Sequence, residues 1–390
     1  MNCIFLSPHF PPHYFHFCKG LKNLGVNVLG IADTQYDQLS EDVKSSLTEY
    51  FKVESMEDYD HLLRAAGYFT HKYGKIDRID SLNEYWMEKE ARLRTDFNVF
   101  GLTLDRIDQA KLKSRMKNGF REAGIEVARG RVVESIEVAQ SFIDEVGYPV
   151  VIKPNCGVGA AHTQKITDRD SLVRFFDENP KMSYIAEEFV EGEICTFDGL
   201  ADREGRAAFY TSHVYNKGVM ELAIDNDHVY YYSQRALPLD LKEAGKRAVK
   251  AFDIRERFFH IEFFRTPKNE LVGLEVNMRP PGGFTTDMFN YACDIDIYQE
   301  WANMVVKGEF TAEYARKYHC CYIGRKSGKS YLHTHEEIMS KYGTPYVVKE
   351  GAMPDLFASL MGNTYYIIRA EEFSRLKEII EFVLATVQPA

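Results

Sequence analysis

The feature that most limits how this chain can fold is a change of hydrophobic period near residue 104. Before it, strand-length apolar runs alternate with helical patterns. Ile4-Phe5-Leu6 is a short strand. Tyr14, Phe17, Cys18, Leu21 and Leu24 recur at helical spacing, and Gly25 closes them. Val26–Ile31 reads as a second strand, Leu62, Leu63 and Ala66 mark another helix, and Ile76–Leu82 a further strand. Such alternation specifies an open, mostly parallel sheet, in which ligands sit beyond the carboxyl ends of the strands.

After residue 104 the spacing predicts a helix over Asp105–Ala123, a strand at Arg131–Val133, and a helix that opens at Ser135 and closes at Gly147. Period-two stretches follow at Tyr148–Lys153, Ser183–Val190, Glu193–Leu200, Ala207–Val214, Arg257–Arg265 and Leu271–Asn277. They predict large antiparallel sheets with packed helices. The expected class is therefore α/β in an N-terminal domain over 1–104, then α+β over 105–310, with residues 311–390 completing the fold.

Composition removes several function classes. Lys and Arg number 48 against 58 Asp and Glu, a net charge of −10, which lacks the basic footprint of a general nucleic-acid binder. No apolar run approaches the roughly 18 residues of a membrane span. The 7 cysteines are scattered without a C-x-x-C, so a reduced cytoplasm is the expected compartment. The loop Ser7–Pro12 holds no G-x-G-x-x-G, so a nicotinamide site loses its main support. His9, His13 and His16 read as part of a proline-shaped turn and helix start rather than a metal set, since no carboxylate or cysteine pattern completes them.

The chemistry concentrates in one hairpin. In Arg257–Arg265, residues Phe259, Ile261 and Phe263 share a face and leave His260 and Glu262 on the other. In Leu271–Asn277, Val272, Leu274 and Val276 face one way, and Gly273, Glu275 and Asn277 the other. A two-residue turn centred between Lys268 and Asn269 would pair Glu262 with Glu275 and His260 with Asn277. Directly opposed like charges are destabilising, so these carboxylates call for a cation, and Mg²⁺ suits oxygen ligands shared with phosphates. Arg279 and the turn Pro280-Pro281-Gly282-Gly283 follow at once, adding a cation and close backbone access beside the acids.

Upstream, Lys153 ends a buried strand and precedes a small-residue loop, Asn155–Ala161, that lets backbone N–H groups approach phosphate. The segment Glu187-Glu188-Phe189-Val190-Glu191-Gly192-Glu193 is a strand, a turn and a new strand. Its extended backbone could meet an adenine edge, and Glu193 could accept from ribose hydroxyls. The loop Ser7–Pro12 with His9, Glu84 after the strand Ile79–Leu82, and Gly282, Gly283 and Asp287 are expected to line an acceptor pocket, because they lie at strand ends or beside the acids.

Taken in order, Lys113, Ile152-Lys153-Pro154, Glu187–Glu193, Glu262, Glu275-Val276-Asn277 and Arg279 resemble the ATP-grasp superfamily over about residues 105–310. That superfamily includes D-alanine–D-alanine ligase, L-amino-acid ligases and the carbamoyl-phosphate synthetase large subunit. The resemblance implies an open-sheet domain preceding an ATP-grasp fold whose lid covers about residues 147–197. It implies that Lys113, Lys153 and the loop glycines Gly157 and Gly159 contact ATP phosphates, and that Glu187 accepts from the adenine amino group. Glu188 and Val190 would present backbone to adenine, and Glu193 would hold the ribose. Glu262 and Glu275 would bind Mg²⁺, with Mn²⁺ as the alternative ion, and Asn277 would complete a second metal. Arg279 would stabilise the transferring phosphate, and His260 stands where D-alanine–D-alanine ligases place an arginine.

The implied activity is a ligase that turns a small carboxylate into an acyl phosphate for attack by an amine or thiol. A kinase-like enzyme that stops at phosphoryl transfer and a silent nucleotide sensor are the alternatives. Carboxylation is disfavoured, because no Met-Lys-Met biotinylation site exists, and a full carbamoyl-phosphate synthetase would need a duplicated unit. Small molecules are the expected partners, without nucleic acid or membrane, and a homodimer is compatible with the pattern.

Overall fold

The computed structural model describes residues 1–157, 162–178, 182–216 and 228–387. Its first layer is a parallel sheet of β1 (Asn2–Leu6), β2 (Asn27–Ala32), β3 (Glu49–Lys52) and β4 (Arg78–Asp80), in the order β3-β2-β1-β4. Every residue of β1 is buried, as expected for a central parallel strand covered on both faces. The helix Phe15–Asn23 lies between β1 and β2, and Gly25 leaves it at φ +75°, a conformation that glycine adopts without penalty.

The remaining strands are β5 (Glu126–Val127), β6 (Gly130–Val133), β7 (Val150–Pro154), β8 (Gln164–Ile166), β9 (Tyr184–Glu188), β10 (Glu193–Ala201), β11 (Ala207–Thr211), β12 (His213–Tyr215), β13 (Val229–Ser233), β14 (Phe258–Arg265), β15 (Leu271–Asn277), β16 (His319–Arg325), β17 (Val347–Ala352) and β18 (Thr364–Ala370). A small antiparallel sheet runs β6-β9-β7-β8. Helices Ile136–Val146 and Arg169–Glu178 contribute Ala139, Phe142, Ile143, Leu172 and Phe175 to its core. The large sheet runs β17-β18-β16-β13-β12-β10-β14-β15-β5, with β11 also on β10. Strands on both sides of residue 310 therefore belong to one sheet.

Three local expectations are corrected. The helix expected over Asp105–Ala123 is broken at Leu112, which is extended at φ −94° and ψ 115°. The cause is Asn155: its backbone oxygen accepts from Lys113 N–H at 2.8 Å and its Oδ1 from Ser114 N–H at 2.9 Å. These two donors open the helix Lys113–Glu122, so a residue far along the chain caps it. The run Ala207–Val214 is split into β11 and β12.

The third correction concerns the hairpin. Its connection is Thr266–Glu270, with Asn269 at φ +64°, not a two-residue turn. Near the turn Arg265 faces Leu271 and Phe263 faces Gly273, one step off the expected register. The register then shifts, and Glu262 faces Glu275 and His260 faces Asn277 after all. Leu274 is the extra residue of this bulge. It is thrown onto the cavity side instead of joining Val276 in the core.

A buried ionic cluster ties the parallel sheet to this hairpin. Glu90, fully buried, accepts from Arg257 at 2.9 Å and lies 3.2 Å from Arg94, while Arg94 also holds Asp80 at 2.7 Å. Glu90 Oε1 accepts the Ser81 N–H at 2.6 Å, and Arg257 Nε donates to the carbonyl of Met278. The strand end that carries Asn277 and Arg279 is thereby anchored to β4.

Candidate active site

The small and large sheets face each other across a cavity of about 530 Å³, within the range of small-molecule sites. Strands β7, β9, β10, β12, β14 and β15 and the helix Lys113–Glu122 all contribute side chains to it. Lys113, Lys153, Gly157, Glu187, Glu188, Val190, Glu193, Glu262, Glu275, Asn277 and Arg279 all line it. Residues more than 160 positions apart are thus brought to one wall. Gly159 lies outside the described residues.

On the β14–β15 side, Glu262 and Glu275 are opposed across the ladder. Burial and the neighbouring Glu262 push the Glu275 carboxyl up, against Lys113, whose Nζ is 3.2 Å from Oε1. Glu262 is also opposed by burial, yet His260 and Arg279 hold it below its ordinary value. His260 Nε2 stands 3.0 Å from Glu262, and its Nδ1 is 2.6 Å from Asp198. Although burial disfavours its charge, Asp198 and Glu262 lift His260 to about 9. Asp198 itself is fully buried and also meets His213 Nδ1 at 2.7 Å. Two carboxylates and the Asn277 amide form an oxygen donor set of the kind Mg²⁺ takes, with places left for water and phosphate. The mutual repulsion of the acids is a physical reason for a divalent ion there. Among the described residues no three His, Cys, Asp or Glu cluster as a self-contained metal site.

On the β7–β9 side, Glu187 is clamped between two lysines. Lys117 Nζ is 2.6 Å from Oε1 and Lys153 Nζ 2.7 Å from Oε2. Burial would raise this carboxyl, but Lys153 and Lys117 overcome it and bring it down to about 2. Lys153 is raised despite burial because Glu187, Glu275 and Glu262 all act on it; Lys117 has Glu187 alone and is lowered by burial. The carboxylate that the resemblance gives to adenine is therefore already engaged. Glu188 is held by Arg129, which donates from its backbone N–H at 2.7 Å and its Nε at 2.6 Å. The turn between β9 and β10 needs Gly192, where a Cβ would lie 2.7 Å from the Arg265 carbonyl oxygen.

The clamp has a pH consequence. Glu187 falls from an ordinary 4.5 to about 2 on folding. A depressed carboxyl contributes stability that is full above the unfolded value and is lost as pH falls toward the folded one. Chemical denaturation between about pH 5 and 3 is expected to show wild type losing on the order of 2 kcal/mol more than Glu187→Gln, whose stability lacks this proton. Parallel curves for the two proteins would contradict the clamp.

The residues expected at an acceptor pocket lie apart from the main cavity lining. Ser7 is buried at φ +54°, and its N–H donates to Ile31. His9 Nε2 meets Thr34 Oγ1 at 3.0 Å, while its Nδ1 is buried with no hydrogen-bond partner among the described residues. Asp287 is bound by Tyr298 Oη at 2.6 Å and Lys349 Nζ at 2.5 Å. The Gly282 carbonyl accepts from Thr285, and Gly283 sits at φ +64°. Glu84 reaches the site indirectly, its carboxylate accepting from Arg279 Nε at 2.9 Å. Sequence reasoning missed Lys117, Tyr215 and Asn216, which line the cavity, and Arg129 and Asp198, which hold Glu188 and His260. For Lys117 a signal existed, since it lies one helical turn after Lys113 on the same face.

Comparison with known proteins agrees with this geometry. Residues 146–287 match the family model of the ATP-grasp domain. It is 26% identical over 252 residues to the L-arginine-specific L-amino acid ligase of Bacillus subtilis, covering 60% of this chain and 59% of that protein. It is 24% identical over 190 residues to the carbamoyl phosphate synthase large chain of Clostridium acetobutylicum, covering 46% of this chain and 17% of that one. The alignments thus span less than two thirds of either relative. Among solved structures, an L-amino acid ligase from Bacillus licheniformis superposes with TM-score 0.76 at 15% identity, over 100% of this chain and 99% of that one. An N5-carboxyaminoimidazole synthetase from Staphylococcus aureus complexed with ADP gives 0.73 at 14% identity, over 97% and 95% of the two chains. The fold is shared along the whole length. No helix among the described residues is long and apolar enough to cross a membrane.

Proposed function

We propose that this chain is an ATP- and Mg²⁺-dependent ligase that joins a small carboxylate to an amine or thiol. The observation that carries this is the convergence of Glu262, Glu275, Asn277 and Arg279 with Lys113 and Lys153 on one cavity. A carboxylate is a poor acyl donor until one oxygen becomes phosphate. Its oxygen attacks the γ-phosphorus and ADP departs; the amine then attacks the acyl carbon, phosphate leaves, and the amine proton is lost. In this scheme Lys113, Lys153 and Arg279 carry positive charge toward the phosphates. Glu262, Glu275 and Asn277 would hold Mg²⁺, which when bound neutralises phosphate charge. Glu188 and Val190, which line the cavity, would present backbone to adenine, and Glu193 would hold the ribose. The similarity to L-amino acid ligases favours amino acids as both partners.

The test is ADP formation by the purified protein with ATP, Mg²⁺ and panels of amino acids and small carboxylates, followed by mass spectrometry. ADP release that depends on two substrates and a condensed product is expected. Hydroxamate formed when hydroxylamine replaces the amine would confirm acyl phosphate. No substrate-stimulated ADP in any panel would defeat the proposal, and phosphorylated hydroxyl products would make the enzyme a kinase.

A further inference from the structure

Lys117 belongs to none of the motifs that mark the site, yet it is among the most confined charged groups in the molecule. Its side chain is 7% exposed, and its ammonium donates to the Ala128 carbonyl at 2.9 Å besides meeting Glu187 at 2.6 Å. The strand beside it passes close to it at residue 130, a glycine. A Cβ there would lie 2.9 Å from Lys117 Cε and 3.3 Å from Glu187 Cγ. Lys153 is placed differently: it shares Glu187 from the other side, and the acids of β14 and β15 also act on it.

Resting on the nucleotide site proposed above, we propose that Lys117 is a positioning residue: it keeps one oxygen of Glu187 paired so that Lys153 can leave the other and turn to the phosphates. A buried carboxylate stripped of every partner is strongly unfavourable. With Lys117 in place, departure of Lys153 leaves Glu187 still bound to a fixed cation. Without Lys117, Glu187 would retain Lys153 as its sole counter-charge and withhold it from an incoming anion. The effect is specific to ligands that carry phosphate, because the bare nucleoside gives Lys153 nothing to turn toward.

The experiment is calorimetric titration of the full chain with ADP plus Mg²⁺ and, separately, with adenosine. Lys117→Met is expected to lower ADP affinity about tenfold, roughly one charge-assisted hydrogen bond, with adenosine affinity changed by less than about twofold. Lys117→Arg should restore most of the loss, and Lys117→Met combined with Glu187→Gln should return the ADP-to-adenosine ratio toward wild type, since no carboxylate then holds Lys153. Lys117→Gln serves the same comparison if the methionine variant does not fold. An unchanged ratio in the single variant, or equal losses for both ligands, overturns the role. Wild-type protein that binds neither ligand defeats the nucleotide site itself, and the role of Lys117 falls with it.

Discussion

Glu275→Gln is expected to lower nucleotide turnover by about 10²–10³-fold while leaving the protein folded. The two expectations have one origin. Glu275 faces Glu262 across the ladder, and burial together with that neighbour raises its carboxyl. Glutamine removes the repulsion at nearly constant volume, so the hairpin has no reason to open. What is lost is a negative ligand for a divalent ion beside the transferring phosphate. Turnover of ATP with the active substrate pair, read as ADP release, should collapse, and thermal unfolding should stay close to wild type. Glu270→Gln, on the exposed turn of the same hairpin, is the control and should retain turnover. A Glu275→Gln protein that works within about twofold of wild type would remove the carboxylate from the chemistry.

Glu90→Gln should produce a large loss of stability. The residue is fully buried, yet it is bonded to Arg257, to Ser81 through both backbone and hydroxyl, and lies 3.2 Å from Arg94. The amide cannot answer two guanidinium groups, and a broken buried pair costs about 3–5 kcal/mol. Urea denaturation should show that loss, whereas Glu88→Gln, exposed and paired only with Lys111, should stay within about 0.5 kcal/mol. Because Arg257 also holds the Met278 carbonyl beside Asn277 and Arg279, the Glu90 variant should lose turnover as well. A change below about 1 kcal/mol would mean that the cluster does not tie the two sheets together, since buried pairs broken on one side cost several times more.

Much of this was legible in the residues because it is local. The parallel strands of the first layer, the helices capped at Ser135 and stopped at Gly25 and Gly147, and the period-two strands all follow from neighbouring side chains. The pairing of Glu262 with Glu275 followed from a turn that does not exist. A longer connection and the bulge at Leu274 cancel, and the acids meet for a reason that simple alternation does not contain. The helix break at Leu112 was illegible, since its cause is Asn155, more than forty positions away. The clamp on Glu187 was partly hidden: spacing puts Lys117 on the face of Lys113, but only the tertiary fold brings its ammonium to Glu187. Buried ion pairs depend on who else is buried, and that is decided by tertiary structure. The pairing of Arg279 with Glu84 is of the same kind, joining a strand end of the large sheet to a turn beyond the first layer.

The decisive measurement is the affinity of wild-type protein for ADP with Mg²⁺ and with Mg²⁺ removed by chelation, set beside the same pair of titrations on Glu262→Gln combined with Glu275→Gln. If the opposed carboxylates bind a divalent ion that bridges them to phosphate, Mg²⁺ strengthens ADP binding to wild type and ceases to matter in the double variant. ADP affinity that ignores Mg²⁺ in wild type, or keeps its full Mg²⁺ dependence once both carboxylates are gone, would contradict it.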